Sequence, residues 1–251
     1  MTPTQIEFLF LSIGHFLDHF FLLVFATAAA LILNREWGMG YAELIPYATP
    51  GFIAFAACSI PAGWIADKWS REGMMVIFFI GIGLSSIVTA ATNTPLEIAF
   101  GLFAVGVFAA IYHPVGLAMV VQGRTKTGVP LAVNGIFGNL GVASAALATG
   151  FLIDNIGWRS AFYIQGIISV LIGLGYLVFV IFIRKLDTSG SGSSSRKAGK
   201  LDTPVMEKRL LVHLFAIIFF LFSLCRFSFF STTFFFIFHF LQQLKLSLIH
   251  I

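Results

Sequence analysis

Seven long apolar runs, separated by short polar breaks, constrain this chain more than any other feature of its sequence. A helix needs about 20 mostly apolar residues to cross the roughly 30 Å hydrocarbon core of a bilayer. Runs of that kind lie at 8–33, 44–66, 74–92, 96–121, 130–153, 160–183 and 210–241. The sequence therefore predicts an all-α membrane protein, with a bundle of six closely spaced transmembrane helices and a seventh apolar helix.

The composition excludes several classes of soluble protein. Of the 251 residues 58% are hydrophobic and 10% are charged, whereas a soluble domain carries about 25% charged residues. A cytosolic enzyme, a nucleic-acid-binding module and a disordered chain are thereby excluded. No nucleophile–base set, metal-ligand spacing or cofactor motif stands out. We therefore expect no enzymatic activity, no metal and no cofactor, and a lipid bilayer as the surrounding partner.

The basic residues predict the orientation of the helices, because loops on the cytoplasmic side are enriched in Lys and Arg. One side of the predicted bundle has only Arg35 and Arg159. The other side has eleven basic residues: Lys68, Arg71, Arg124, Lys126, Arg184, Lys185, Arg196, Lys197, Lys200, Lys208 and Arg209. This asymmetry predicts a multi-pass protein of a bacterial inner membrane with a cytoplasmic N-terminus.

A change of composition after the sixth apolar run predicts the domain boundaries. Residues 1–185 form the six-helix unit, and the Gly- and Ser-rich segment 186–208 is typical of a flexible cytoplasmic linker. Residues 209–251 supply the seventh apolar segment, with twelve Phe between 210 and 241, and an unusual tail.

A short internal repeat relates the two halves of the six-helix unit. The second helix ends with Gly63, Asp67 and Arg71, and the fifth ends with Gly150, Asp154 and Arg159 at nearly the same spacing. The two copies fall on opposite sides of the predicted membrane. Two inverted three-helix repeats are a common plan of secondary transporters, although a match this short can also arise by chance.

The first helix carries three ionisable residues on one face, His15, Asp18 and His19. Asp18 lies about 15 Å into the span at 1.5 Å per residue. A carboxylate at that depth costs at least about 2.5–3.5 kcal/mol on insertion scales, so it requires a cavity or a partner. We predict a proton-coupling site in which Asp18 pairs with His15 or His19, with a purely structural Asp–His pair as the alternative.

Three further spans contribute polar candidates. In the fourth, Pro114 interrupts the helix beside Tyr112 and His113, which predicts either a binding or gating site or a packing kink. The fifth span has small residues for close helix packing. The candidates for the substrate cavity are Tyr112, Asn134, Asn139 and Gln165, and His113 joins the candidates for proton coupling.

The loop after the second helix predicts a conformational gate. Its candidate residues are Gly63, Asp67, Lys68 and Arg71. Asp67 and Arg71 lie one helical turn apart and can pair with each other. A pair of this kind at a cytoplasmic helix end can hold one conformation of a moving bundle.

These motifs resemble those of a known family. The segment Gly63-x-x-Ala66-Asp67-Lys68-x-Ser70-Arg71 is similar to the loop signature G-x-L-A-D-R-x-G-R-K of the major facilitator superfamily, with Glu72 in place of its second basic residue. The motif Gly135-x-x-Gly138-Asn139-x-Gly141 resembles the glycine-rich antiporter motif without its proline. Leu102 stands where a fourth-helix Arg is usual.

One branch of that family shares further motifs with this chain. The combination of His15/Asp18/His19, Tyr112-His113-Pro114 and Gly157-Trp158-Arg159 resembles the fosmidomycin-resistance and drug–proton antiporter branch. This resemblance implies proton-coupled secondary transport of a small molecule, by efflux or solute transport, through two six-helix halves.

The resemblance covers one such half, residues 1–185, so we expect a transporter that is incomplete in this chain. We interpret the tail of the chain, within residues 209–251, as the product of a truncated or frameshifted reading frame. A second transporter half or a homodimer could supply the remainder, and a non-transporting remnant or an assembly subunit of the membrane is the alternative.

Overall fold

The computed structural model describes residues 2–190, with side chains up to residue 183. In that range it has six helices long and apolar enough to cross a membrane, which confirms the predicted all-α class and six spans. They are α1 (Pro3–Glu36), α2 (Tyr41–Lys68), α3 (Arg71–Ala90), α4 (Pro95–Val121), α5 (Gly128–Asn155) and α6 (Trp158–Gly190). The predicted seventh helix and tail, 209–251, and all but the first residues of the predicted linker lie outside the described residues.

Polar caps fix where several helices begin. Thr2, Ser70 and Thr94 adopt extended backbone geometry, and each side-chain oxygen accepts a hydrogen bond from the backbone N–H three residues later. Pro3 and Pro95 follow two of these caps at the first helical position, where their fixed φ suits a helix and no N–H is needed. Helices α1 and α4 therefore start at their polar caps, earlier than the apolar runs alone indicate.

Two spans depart locally from α-helical geometry. Helix α1 contains a π-helical turn at Ala29–Leu33, and α4 contains another at Tyr112–Gly116. The second turn includes Pro114, which has no backbone N–H to donate and clashes with an ordinary helical turn. The break predicted at this proline is thus a π turn, which widens the helix and turns His113 out of the α-helical register.

The six spans pack in pairs that are distant in sequence. Helix α1 lies against α5, α3 against α6, and α2 against α4. Glycines permit the closest approaches: a β carbon added at Gly83 would lie 2.6 Å from the carbonyl oxygen of Gly166, and one at Gly141 would collide with the carbonyl group of Phe16. These crossings place α1, α4 and α5 around one shared interior region.

Buried aromatic residues form two apolar clusters along the bundle. One surrounds Phe78, Phe79 and Tyr112, and the other surrounds Phe25 and Phe162. Helix α1 contributes to both clusters. The polar residues in the middle turns of α1 therefore lie between two apolar clusters. An ionisable group there has few polar neighbours.

Candidate functional site

Asp18 is the most completely buried charged residue in the described part of the chain, with 0% exposure. Its Oδ2 lies 3.2 Å from Nε2 of His113. That distance is short enough for an ion pair. Neither carboxylate oxygen accepts a hydrogen bond from the described residues. Burial without such donors is costly for a charged carboxylate, so the site favours a proton or a cation beside Asp18.

The predicted partner of Asp18 was wrong. The sequence suggested His15 or His19, on the same helix, whereas the observed partner is His113 of α4. The two α1 imidazoles are engaged elsewhere, since Nε2 of His15 lies 3.2 Å from Nε2 of His19. The short Asp18 side chain is instead directed at the neighbouring span.

A hydrogen-bonded network holds His15 in place. Its Nδ1 lies 2.9 Å from the backbone oxygen of Asn134 and 2.8 Å from Oδ1 of the same residue. The Asn134 amide donates to the Tyr112 hydroxyl at 2.9 Å, and that hydroxyl donates to the Leu11 carbonyl at 2.8 Å. The Tyr112 ring also stacks on His15, with centroids 4.9 Å apart. Residues from α1, α4 and α5 thus orient one imidazole.

Gly138 makes room for this imidazole. A β carbon at this position would lie 2.7 Å from Nε2 of His15, which is closer than atoms of that kind pack. The glycine-rich stretch of α5 therefore serves the site as well as helix packing, since any larger residue at 138 displaces His15.

Three histidines converge at the centre of this site. One ring nitrogen each from His15, His19 and His113 lies within 4.8 Å of the other two. The sequence suggested no metal-ligand spacing, because His113 is far from the other two along the chain. The available sequence signal for a shared site was the four-residue separation of His15 and His19, which places both on one helix face.

The other predicted cavity residues do not join this cluster. Asn139 is exposed on α5, and within the described region it shares no hydrogen bond with the histidines. Gln165 is buried on α6, and neither atom of its amide finds a hydrogen-bond partner among residues 2–183. Only Tyr112 and Asn134 of the predicted cavity set contact the site.

The predicted gate residues form a polar contact between loops. Arg71 lies 2.8 Å from Asp67 and also donates to Gln122 at the end of α4, at 3.3 Å. Lys68 stands over the Trp64 ring, 4.1 Å from its centroid. A β carbon at Gly63 would lie 3.2 Å from that of Pro114, so α2 packs closely on the π turn that carries His113.

A second contact, at the opposite end of the bundle, was missed by the sequence analysis. Arg159 donates to Asn93 at 2.9 Å and to the Thr92 carbonyl at 3.1 Å, and lies 3.5 Å from Glu36. Asp154, the acidic residue in the same copy of the repeat, forms no ion pair within residues 2–183. The repeat and the family motif both include Arg159, but sequence did not indicate its partners, because they come from two other loops.

A groove of about 470 Å³ lies at the N-terminal end of α1. The residues around it are Thr2, Thr4, Gln5, Phe8, Leu9, Ser12, Arg124 and Phe137. The Arg124 guanidinium stands 5.4 Å from the Phe8 ring centroid. The Ser12 hydroxyl is buried and has no hydrogen-bond partner in the described residues, and it lies one helical turn from His15. The groove therefore reaches to within one helical turn of His15 along α1.

Comparison with known proteins places this arrangement in a family. The model of the Major Facilitator Superfamily matches residues 11–251, which is nearly the whole chain. The chain belongs to the Major Facilitator Superfamily. It is accordingly an integral, multi-pass membrane protein of a transporter family. The match continues through the tail, in which no family motif was visible in the sequence.

Named members of this superfamily share modest identity with the chain. The puromycin resistance protein pur8 of Streptomyces alboniger is 27% identical over 57% of this chain and 29% of its own length. The 4-hydroxybenzoate transporter PcaK of Pseudomonas putida is 26% identical over 64% and 38%. The MFS-type transporter YfnC of Bacillus subtilis, whose function is uncharacterised, is 27% identical over 67% and 40%. The chain thus spans about 29–40% of the length of these relatives.

Two buried tyrosines give a direct test of the network around His15. Tyr112→Phe removes a hydroxyl that bonds both Leu11 and Asn134, so we expect a loss of about 1–3 kcal/mol in unfolding free energy. Tyr176→Phe is the matched control, because that side chain is equally buried and its hydroxyl has no partner in the described residues. Thermal unfolding in detergent micelles measures both. Equal stability of the two variants would contradict the network.

Proposed function

We propose that this chain, together with a second six-helix half or a second copy of itself, acts as a proton-coupled secondary transporter of a small molecule, with Asp18 as the residue that binds and releases the proton. The observation that carries this proposal is a fully buried carboxylate, in the middle of a membrane-spanning helix, paired with an imidazole on a second helix. Intramembrane carboxylates and histidines of this kind are typical of proton pathways. Membership of a transporter family supports the same interpretation.

The geometry suggests how a proton would be coupled to movement. Protonation of Asp18 removes its attraction for His113 and so weakens one link between α1 and α4. A ligand or proton that binds one arrangement better shifts the population toward it. His15 and His19, 3.2 Å apart, continue the path away from Asp18 and are proposed as the remaining proton-binding groups.

The proposed substrate path runs from the groove at Ser12 to the histidine cluster. Tyr112 and Asn134, which both contact His15, are proposed for its inner wall, and Asn139 and Gln165 for its more distant wall. Gly63, Asp67, Lys68 and Arg71 are proposed as the gate, supported by the contact of Arg71 with both Asp67 and Gln122. The substrate is a small molecule, and the surrounding lipid bilayer is the other partner.

We assign the chain to the drug–proton antiporter type, as the fosmidomycin-resistance motifs suggest, and propose efflux as its direction. The similarity to a puromycin resistance protein supports this assignment. Solute transport is the second candidate, favoured by the similarity to a 4-hydroxybenzoate transporter. The alternative of a non-transporting remnant or assembly subunit gains no support from these relatives.

The inverted repeat and the second bundle are also proposals. If α1–α3 are exchanged with α4–α6, the α1–α5 pair becomes the α4–α2 pair, and the α3–α6 pair becomes itself. Both kinds of pair are present, which supports an inverted pair of three-helix units. Apolar residues of α2 and α5, such as Ile60 at 80% exposure and Leu147 at 77%, leave faces for lipid, a second six-helix half or a second copy of the chain.

The orientation in a bacterial inner membrane has its own test. The basic asymmetry predicts that loop 122–128 is cytoplasmic and loop 34–43 is on the opposite side. A cysteine placed in 34–43 should therefore react with an impermeant thiol reagent added to intact cells. A cysteine placed in 122–128 should react only after the membrane is opened. The reverse pattern would contradict the proposed topology.

Transport itself is tested with the 251-residue chain in proteoliposomes under an imposed pH gradient. Puromycin and 4-hydroxybenzoate serve as probes, and a pH-sensitive dye reports proton movement. We expect movement of at least one probe coupled to proton movement, in the opposite direction for an antiporter, at a rate that falls when the gradient is collapsed. An inserted chain that moves neither probe with the gradient, although cross-linking shows it paired with a second copy, would contradict the function proposed here.

A further inference from the structure

The three histidines at the centre of the bundle lie close enough together to share a metal ion. A tetrahedral zinc ion holds imidazole nitrogens at 2.0–2.1 Å, so two such nitrogens lie about 3.3 Å apart. The Nε2 atoms of His15 and His19 are 3.2 Å apart, and His113 brings a third nitrogen within 4.8 Å of both. We propose that His15, His19 and His113 form a binding site for a divalent transition-metal ion of the zinc class.

The hydrogen bonds of His15 orient the correct nitrogen toward such an ion, which would replace the contact between Nε2 of His15 and Nε2 of His19. Its Nδ1 faces two oxygens of Asn134, and a backbone oxygen can only accept. Nδ1 therefore carries the proton of the neutral ring, and Nε2 directs a lone pair toward His19. An imidazole that binds a metal through one nitrogen and donates from the other to a carbonyl is the usual arrangement around protein metal ions.

Asp18 supplies a negative charge for the ion. Its carboxylate is fully buried beside His113, and its oxygens accept no hydrogen bond from residues 2–183. A carboxylate in that setting stabilises an added cation, either as a fourth ligand or by orienting His113.

The ligand set also selects the class of metal. Imidazole nitrogens suit zinc, nickel, cobalt and copper, whereas magnesium and calcium prefer cages of oxygen ligands. His19 and His113 are partly exposed, and His15 is 8% exposed. An ion can therefore reach the cluster, while the inner ligand stays fixed by its neighbours.

A metal ion bound at the three histidines would regulate the transporter. A bound ion engages the imidazoles and the carboxylate that the proton pathway needs, so it should stop proton-coupled flux. This consequence rests on the proposed function, whereas binding of the ion does not. The two are therefore measured separately.

Binding is measured on the purified 251-residue chain in detergent micelles, titrated with Zn²⁺ by calorimetry and followed by zinc-edge X-ray absorption. We expect one ion per chain with three imidazole nitrogens at about 2.0–2.1 Å, and no binding of Mg²⁺. The triple variant His15→Gln, His19→Gln, His113→Gln should lose more affinity than the about 10–100-fold that loss of an outer-shell partner costs. Its matched control is His213→Gln, His239→Gln, His250→Gln, which should bind zinc as the unmodified chain does.

Two additional measurements can still decide the test if the triple variant does not fold. His19→Gln changes only one partly exposed ligand and should weaken binding at least about 10-fold. The absorption spectrum of the unmodified chain requires no variant. A first shell without imidazole, or affinity that is lost with the three C-terminal histidines instead, would overturn the site.

Proteoliposome assays separate this inference from the proposed function. Zinc binding by a preparation that shows no gradient-driven flux supports the metal site and counts against transport. Gradient-driven flux in a preparation that binds no zinc supports transport and counts against the metal site. Flux that continues with zinc bound at the three histidines would overturn the regulatory consequence.

Discussion

Asp18→Asn is expected to abolish gradient-driven transport in proteoliposomes while leaving insertion and folding intact. The amide has nearly the shape of the carboxylate but cannot bind and release a proton. It also lacks the charge that attracts His113, 3.2 Å away in the native chain. The variant therefore removes the coupling group without opening a cavity. Initial rates of probe movement and of dye-reported proton flux, with and without a pH gradient, measure the effect.

Asp154→Asn is the control for this prediction. It makes the same chemical change at an exposed residue of α5 that forms no ion pair within the described residues, and its transport rate should stay unchanged. Exchange of probe at equal pH on both sides requires no net proton movement, so it should persist in Asp18→Asn. Full gradient dependence in Asp18→Asn would remove this residue from the coupling mechanism.

Hydropathy was sufficient to predict the six spans. In a bilayer every backbone N–H and C=O must be satisfied within the segment, so a long apolar run has few alternatives to a helix. The helix ends were less well predicted. Helix α1 begins at Pro3, ahead of the apolar run, because Thr2 caps a polar first turn that a hydropathy count leaves out. Caps depend on individual side chains rather than on average polarity.

The candidate site was predicted in its residue types but not in its pairing. Depth along α1 indicated that Asp18 needs a partner, yet the partner lies on α4, and sequence spacing does not fix how two helices are rotated against each other. Asn134 and Asn139 illustrate the same limit. Five residues of α-helix turn by about 140° beyond a full circle, so the two amides cannot face one cavity. The structure directs Asn134 to His15 and leaves Asn139 exposed.

The resemblance to a family supplied what the residues alone could not. The loop signature around Asp67 indicated the superfamily, and the match of its model over residues 11–251 agrees. The motifs resemble those of one branch, whereas the relatives that match this part of the chain include both a puromycin resistance protein and a 4-hydroxybenzoate transporter. Specificity lies in side chains that line the path, and those contacts depend on the tertiary packing of several spans.

Gly141→Ala is expected to destabilise the bundle by about 1–3 kcal/mol or more, the cost of overpacking a close contact. The added methyl group would collide with the backbone carbonyl of Phe16 on α1. A backbone group cannot rotate away as a side chain can, so α1 and α5 must separate along their whole crossing. The midpoint of thermal unfolding in detergent micelles, followed by tryptophan fluorescence, measures the change.

Gly135→Ala on the same helix isolates the contact from the intrinsic effect of replacing glycine. A β carbon at Gly135 meets nothing within 4 Å, and Ala is favoured over Gly in a helix by about 1 kcal/mol. This variant should therefore unfold at the same temperature as the unmodified chain or higher, and Gly141→Ala clearly lower. Since the α1–α5 crossing also positions His15 against Asn134, Gly141→Ala should weaken zinc binding as well. Two variants of equal stability would show that α1 and α5 do not meet at Phe16, and the histidine cluster would then need another arrangement.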